Sequence, residues 1–391
     1  MIHGILDNDL YKLTQQQAVI ALYPKEIVRY KFINRGKTQF PEGFAVELRK
    51  EIDNLAFITS EKFSGRDNLK KIRFLSPFYI DYISGYEFDG DEVQITQKGG
   101  DVEILIEGYW FRTILWEVPL LAMISETYYR MTGQEYPEDV KQLYEINTKK
   151  GKDFKTFGIK FADFGTRRRF SHDNQSAVIN HLMLSAGDNF VGTSNVYFAL
   201  KYGIKAIGTM AHEWIMFHGA KYGFHEANKI ALQNWVKVYG GDLGIALSDT
   251  YTTESFFNSF DTLFAKTFDG VRHDSGDPIK FGEKVIEHYK KLGIDDSVIK
   301  SKTIVFSDAL DFDKVLKIEN CFRGRINTSY GIGTWFTNDI PGVKPLNIVI
   351  KMDSVLIDGE WVPCVKLSDE PGKYTGDKET IELAKRVLKI S

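Results

Sequence analysis

The apolar positions of this chain change rhythm twice. From Glu26 to Asn34 apolar and polar residues alternate, which predicts a strand with one buried face. Apolar spacings of three and four predict helices over Phe44–Phe57 and Ser60–Phe74. Val93–Gln97 and Asp101–Gly108 predict a hairpin around Lys98-Gly99-Gly100, and Trp110–Thr132 predicts one long buried helix. Beyond residue 136 the pattern becomes short apolar runs separated by amphipathic stretches. The runs are Ile159–Ala162, Asn189–Val191, Ile204–Ile207, Leu243–Leu247, Phe268–Val271, Lys302–Phe306 and Arg325–Asn327, and each ends in a polar or glycine-rich motif. After Pro341 the chain returns to strand-like segments. Ile348–Met352 and Glu360–Lys366 predict paired strands around Asp358-Gly359, and Glu379–Lys389 predicts a final helix.

Strand, polar loop and helix, repeated about seven times, predict an α/β fold with a parallel sheet. A barrel is the first choice, because no Gly-x-Gly-x-x-Gly follows the first strand of this region. In a barrel the loops at the strands' C-terminal ends converge on one site. The domains expected are an N-terminal α/β domain over 1–135, a barrel-like catalytic domain over 136–340, and a C-terminal segment over 341–391 that returns to the N-terminal domain.

Composition narrows the function class. The 391 residues are 43% apolar and 26% charged, ordinary for a globular protein with a sizeable core. A formal charge of −3 gives no basic field for coating nucleic acid, so an anionic ligand must be met by local Arg and Lys. Two isolated cysteines, Cys321 and Cys364, make neither a disulfide framework nor a thiolate metal cage. The N-terminus lacks a basic region followed by an apolar one, and the most apolar long stretch, Tyr109–Ile124, is broken by Arg112, Glu117 and Pro119. A cytoplasmic protein is expected, with neither membrane nor nucleic acid as partner.

The chemistry-bearing residues sit where the runs end. Arg167, Arg168 and Arg169 follow the first run, and guanidinium forks match carboxylate and phosphate oxygens. Gly192-Thr193-Ser194 opens a short helix, where Ser194 reads either as an anion contact or as a helix cap. His212-Glu213 fails as a zinc-protease motif, since position 216 is Met and the next His is His218. His212 is therefore a candidate base or nucleophile. Asp249, Asp274 and Asp277 outnumber Arg272 in their loops, leaving carboxylate to orient a His, hold hydroxyls or help seat Mg²⁺. Asp308 and Gly331-Ile332-Gly333-Thr334 follow the last two runs, where barrels commonly bind a phosphate.

These stretches resemble the nicotinate phosphoribosyltransferases of bacterial and yeast type, from Asp7-Asn8-Asp9-Leu10-Tyr11 to Pro371-Gly372-Lys373-Tyr374-Thr375-Gly376-Asp377. The most specific are Asp163–Arg167, Gly208–Trp214, Leu247–Tyr251 and Val271–Pro278. The resemblance implies an irregular α/β barrel of the type II phosphoribosyltransferase class, joined to an N-terminal α/β domain, in a homodimer with the site at its interface. It implies nicotinate, phosphoribosyl pyrophosphate and ATP as substrates, with Mg²⁺ as cofactor. It makes His212 a phosphohistidine, with Asp274 holding the ribose. It places Tyr11, from the partner subunit, and Phe164 on the pyridine ring, with Arg272 and Ser194 at the ring substituent. Arg167 and, across the interface, Arg35 match phosphate-side arginines, with Asp308, Gly331, Gly333 and Thr334 expected beside them. Asp249 is the candidate for orienting His212. The rival readings are a nicotinamide phosphoribosyltransferase, which carries Asp where Ser194 stands, a quinolinate phosphoribosyltransferase, a catalytically inactive ligand sensor on the same fold, and an unrelated barrel enzyme.

Overall fold

The computed structural model describes residues 1–60, 66–134, 136, 137 and 140–390. Two sheets organise it. One is antiparallel: β1 (Ile27–Asn34), β2 (Val93–Lys98), β3 (Asp101–Tyr109), β10 (Ile348–Ile357) and β11 (Glu360–Pro363), ordered β11-β10-β1-β3-β2. The other is parallel: β4 (Phe161–Asp163), β5 (Phe190–Thr193), β6 (Ile245–Leu247), β7 (Gly270–His273), β8 (Thr303–Phe306) and β9 (Asn327–Ile332), ordered β5-β4-β9-β8-β7-β6.

The parallel sheet is an irregular barrel, and the irregularity has a cause. Ring order follows chain order, because β9 pairs with β4. The predicted run Ile204–Ile207 forms a single bridge, Thr193↔Ala206, instead of a strand. It fills the gap between β5 and β6. On the β5 side backbone bonds hold it, Thr193 N–H to Lys205 O at 3.1 Å and Ile207 N–H to Thr193 O at 2.9 Å. On the β6 side the Thr209 hydroxyl donates to Leu243 O at 2.9 Å and to Ile245 O at 3.2 Å. Side chain thus replaces ladder there, and the segment is left free to turn toward His212.

Local rules account for the other elements. Asp358 and Gly359 both have positive φ, 51° and 88°, the backbone a tight hairpin between β10 and β11 requires. β10 lies antiparallel on β1, from Val28↔Val355 to Asn34↔Ile348, so residues after 341 complete the first sheet. The predicted helix Trp110–Thr132 is three pieces, Trp110–Thr113, a 3-10 turn Ile114–Trp116, and Glu117–Met131. Pro119 has no N–H to give Leu115 O. That carbonyl accepts instead from Asn8 Nδ2 at 3.0 Å. Of the predicted helix Ser60–Phe74, residues 61–65 lie outside the described residues, and the remainder holds only one turn of helix, Arg66–Leu69. A helix the apolar pattern does not predict, Leu10–Leu22, runs through the middle of the molecule with Lys12, Thr14, Gln15, Gln16 and Gln17 all buried. No described helix is long and apolar enough to cross a membrane.

Candidate active site

The barrel delivers its chemistry at the strands' C-terminal ends. Phe164, Arg167 and Arg168 follow β4, Ser194 follows β5, Asp249 and Thr250 follow β6, Asp274 follows β7 and Ser307 follows β8. Three cavities meet there. One of about 260 Å³ is lined by Asp9, Tyr11, Phe164, Arg167, Ser194, Gly208 and Arg272, among others. One of about 380 Å³ holds Arg167, Arg168, Arg272, Asp274, Gly331, Gly333 and Thr334. A small one of about 50 Å³ lies between His212 and Lys351 of β10. Arg167 and Arg272 line all three, so they stand at the junction.

His212 opens the helix His212–Tyr222 and is buried. Its Nδ1 lies 3.0 Å from the Thr250 hydroxyl, and its Nε2 lies 3.1 Å from Asp274 Oδ2. Burial, and then the charge of Lys366, lower its pKa to about 4. The ring is therefore neutral near pH 7. With Nε2–H donating to Asp274, Nδ1 accepts from Thr250, so one tautomer satisfies both partners. The orienting bond the sequence assigns to Asp249 is not made. Asp249 Oδ1 stands 3.7 Å from Nε2, while its other oxygen accepts from Ser275 Oγ at 2.5 Å and faces Lys366 at 3.6 Å. Thr250 and Asp274 hold the ring instead.

Arg272 reaches Asp274 Oδ1 through Nη2 at 2.9 Å and Ser307 Oγ through Nε at 2.8 Å. Burial works to raise the pKa of Asp274, but Arg272 and His212 hold it well below the usual carboxylate range. Asp277 is not part of this cluster. Its carboxylate caps the helix Pro278–Lys291 through Ile279 N–H and Lys280 N–H. Asp308 is also diverted, being paired with Lys373 at 2.8 Å and absent from the lining of the 380 Å³ cavity. Gly331 does line that cavity, and a Cβ there would come within 2.2 Å of the Phe164 ring. Its bareness makes room for that ring as well as for a ligand.

Of the two residues expected from a partner subunit, Tyr11 reaches the cavities of its own chain, whereas Arg35 lines none of the three. Tyr11 lines two of the cavities, and the backbone at Gly208 is so close that a Cβ there would meet Tyr11 N at 2.8 Å. Arg35 lies near Arg168 and Lys351. Burial, and then the charges of Arg167 and Arg35, lower Arg168 to about 10. Burial lowers Lys351 to about 8, with Lys366, Arg167 and Arg35 adding to it and Glu117 opposing. The side chains of Arg35, Arg168 and Lys351 make no hydrogen bond or ion pair among the described residues, and the acidic charges that reach them do so without contact, Glu370 for Arg35, Asp308 for Arg168 and Glu117 for Lys351. Lys351, Lys366 and Thr250 went unassigned in the sequence, as did Asp9. The lysines come from the last segment, where no local motif marks them.

Ser194 has a different partner from either expected one. Its hydroxyl donates to Asp9 Oδ1 at 2.7 Å, and its N–H donates to Asp163 O at 2.8 Å. The helix cap is Asn195, whose side chain accepts from Phe198 N–H. The capping reading of Ser194 is thereby removed, and so is a free hydroxyl donor.

The buried neutral histidines have a consequence for stability. His212 and His218 each have a folded pKa of about 4, against 6.5 in the absence of burial. Between those values the unfolded chain binds more protons, so stability falls as pH drops and is regained above 6.5. The expected loss from pH 7 to pH 5 is about 2 kcal/mol per histidine. Urea unfolding at the two pH values measures it, and His218→Gln should lose less than the parent. Equal losses in both would remove His218 from the account.

Residues 159–391 match the model of the nicotinate phosphoribosyltransferase (NAPRTase) family, and residues 6–125 match that of its N-terminal domain. A nicotinate phosphoribosyltransferase of Chromohalobacter salexigens is 51% identical over 100% of this chain and 99% of its own length. One of Desulforapulum autotrophicum is 49% identical over 99% of each. Among solved structures, a nicotinate phosphoribosyltransferase from Porphyromonas gingivalis superposes with a TM-score of 0.95 at 42% identity, covering 100% of both chains. A putative nicotinate phosphoribosyltransferase from Saccharomyces cerevisiae gives 0.92 at 33% identity, covering 100% of this chain and 99% of that one. The chain belongs to the nicotinate phosphoribosyltransferase family.

Proposed function

We propose that this protein transfers the 5-phosphoribosyl group of phosphoribosyl pyrophosphate to nicotinate, with ATP turned over through a phosphohistidine at His212. The observation that carries this reading is the meeting of two unlike cavities at Arg167 and Arg272. The 260 Å³ cavity suits a flat ring between Tyr11 and Phe164, and the 380 Å³ cavity suits phosphates among Arg167 and Arg168. The ring nitrogen attacks ribose C1. The bond from C1 to the diphosphate oxygen breaks, and its electron pair leaves with pyrophosphate. The charge of Arg168, which has no ion pair among the described residues and lines the 380 Å³ cavity, favours that departing anion, and Asp274 balances positive charge growing on the ribose. A neutral His212 keeps one ring nitrogen with a lone pair, which a protonated ring would lack. That nitrogen takes the γ-phosphoryl group of ATP, ADP leaves, and water later releases phosphate.

Among the described residues no group of three or more His, Cys, Asp or Glu forms a metal site. A Mg²⁺ that arrives on the diphosphate needs only one or two carboxylates, and Asp274, Asp311 and Asp339 line that cavity. The ion would supply further charge neutralisation for pyrophosphate.

One observation favours nicotinamide as the ring substrate. The Asp9 carboxylate lines the ring cavity and is an acceptor of the kind an amide NH₂ seeks. Against it, Arg167 and Arg272 line the same cavity and suit a carboxylate. Incubation with phosphoribosyl pyrophosphate, Mg²⁺ and either pyridine, with and without ATP, decides. Nicotinate mononucleotide should form, and ATP should be converted to ADP alongside it. Mononucleotide from nicotinamide alone would overturn the reading, and product with no ADP would remove the phosphohistidine.

A further inference from the structure

Asp9 is a buried carboxylate of the ring cavity whose presence the reaction does not explain. It is 2% exposed and forms no ion pair among the described residues. It precedes the helix Leu10–Leu22 in the N-cap position, yet its side chain makes no capping bond. A capping Asp commonly contributes about 1 kcal/mol. This carboxylate forgoes that role and turns to Ser194 Oγ at 2.7 Å. The groups facing it are Arg167, Glu117 and the Ser194 and Thr166 hydroxyls, with Asp163 and Tyr11 nearby. Burial raises its pKa, Glu117 adds to this, and Arg167 and the two hydroxyls oppose it.

A serine hydroxyl has one proton. In the ionised pair Asp9 takes it, so Ser194 offers an incoming ligand only lone pairs. A nicotinate carboxylate would then meet two acceptors, one of them charged. We propose that Asp9 is a specificity-determining residue that takes up one proton when nicotinate binds, donates it to Ser194 Oγ, and so frees the Ser194 hydroxyl to donate to the nicotinate carboxylate. The balance is one proton from solvent per nicotinate bound, with no covalent change. Nicotinamide needs no such proton, because its NH₂ donates to the Ser194 lone pair while Asp9 stays ionised. The same two side chains thereby present opposite faces to the two pyridines. Proton uptake lets an acidic pocket accept an acid. This inference rests on nicotinate occupying the 260 Å³ cavity.

Two measurements test it. The first is kcat/KM for nicotinate, divided by the reciprocal inhibition constant of nicotinamide, from about pH 5 to about pH 9. Ionisations common to both ligands cancel in that ratio. In the parent it should fall by up to about tenfold per pH unit above the pKa of Asp9. Asp9→Asn, whose amide is a fixed donor to Ser194, should flatten the profile. The second needs no variant. Calorimetry of nicotinate binding at about pH 8, in phosphate and in Tris, should give about one proton taken up per ligand. A flat parental ratio, or calorimetry with no proton uptake, overturns the role of Asp9 and leaves nicotinate transfer standing. Absence of nicotinate turnover at every pH overturns the function and this inference with it.

Discussion

In the His212→Ala protein, transfer of the γ-phosphoryl group of ATP to the chain should be abolished. The geometry leaves no substitute. His212 is held from both sides, by Thr250 at Nδ1 and by Asp274 at Nε2. His273, the neighbouring histidine in sequence to Arg272 and Asp274, is buried with neither ring nitrogen hydrogen-bonded, and it does not line the three cavities. His218 is on the same helix but is committed to Tyr23 and to Trp214 O. Label from γ-labelled ATP that is stable to alkali and lost in acid should appear in the parent and be absent from the variant. The expected loss exceeds about 100-fold, the scale of removing a covalent nucleophile rather than a hydrogen bond. Slow, ATP-independent synthesis of the mononucleotide should survive, because neither the ring cavity nor Arg167 and Arg168 is touched. Thr250→Val offers a graded control. It keeps the nucleophile and removes one orienting partner, so labelling should slow without vanishing. Label persisting in His212→Ala would move the phosphoryl acceptor to another residue.

What the sequence reveals and what it hides divide along physical lines. Parallel barrel strands are buried on both faces, so they read as short apolar runs. Five of the seven runs overlap strands by two residues or more, while Arg325–Asn327 only meets the start of β9, which continues through Gly331 and Ile332 of the expected loop. The seventh, Ile204–Ile207, has the same composition, but its hydrogen bonds are made partly by Thr209, a tertiary choice that no local pattern records. The helix Leu10–Leu22 escapes an apolar-periodicity search for a related reason. Its buried residues include a lysine and three glutamines, which are satisfied by partners far away. Lys12 pairs with Glu117 and Glu213 at 2.6 and 2.7 Å, and Gln16 donates to Phe111 O at 2.7 Å.

The site follows the same division. Motifs at strand ends mark Phe164, Arg167, Ser194, His212, Arg272 and Asp274, and the fold brings all six to the three cavities. Composition cannot tell which carboxylates of a cluster face the ligand. Asp277 went to a helix cap and Asp308 to Lys373, while Asp9, placed by sequence only within a family motif, reaches the ring cavity. Lys351 arrives on a strand of the other sheet, through a pairing of β10 with β1 that spans most of the chain.

Arg272→Lys should be the most damaging conservative change in the ring site. Charge is retained, but a lysine ammonium cannot reproduce a planar fork. Arg272 is 15% exposed at its side chain and spends Nε on Ser307 and Nη2 on Asp274. Its remaining N–H groups are what a nicotinate carboxylate would meet. The substitution removes a charge-assisted bond to the ligand and loosens Asp274, which in turn holds His212 and balances the ribose. Two lost charge-assisted bonds correspond to about 3–4 kcal/mol, or roughly 10²- to 10³-fold in kcat/KM for nicotinate. KM should rise through the lost ligand contact, and kcat should fall through Asp274. Nicotinamide has no carboxylate to lose, so its inhibition constant should change by less than the nicotinate term. His212 labelling should slow as well, because one of its two orienting partners is no longer fixed. The measurement is kcat and KM for nicotinate alongside the nicotinamide inhibition constant, in protein whose melting temperature matches the parent. A fall of less than about threefold, or equal effects on both ligands, would take Arg272 away from the ring substituent and leave it only as a brace for Asp274 and Ser307.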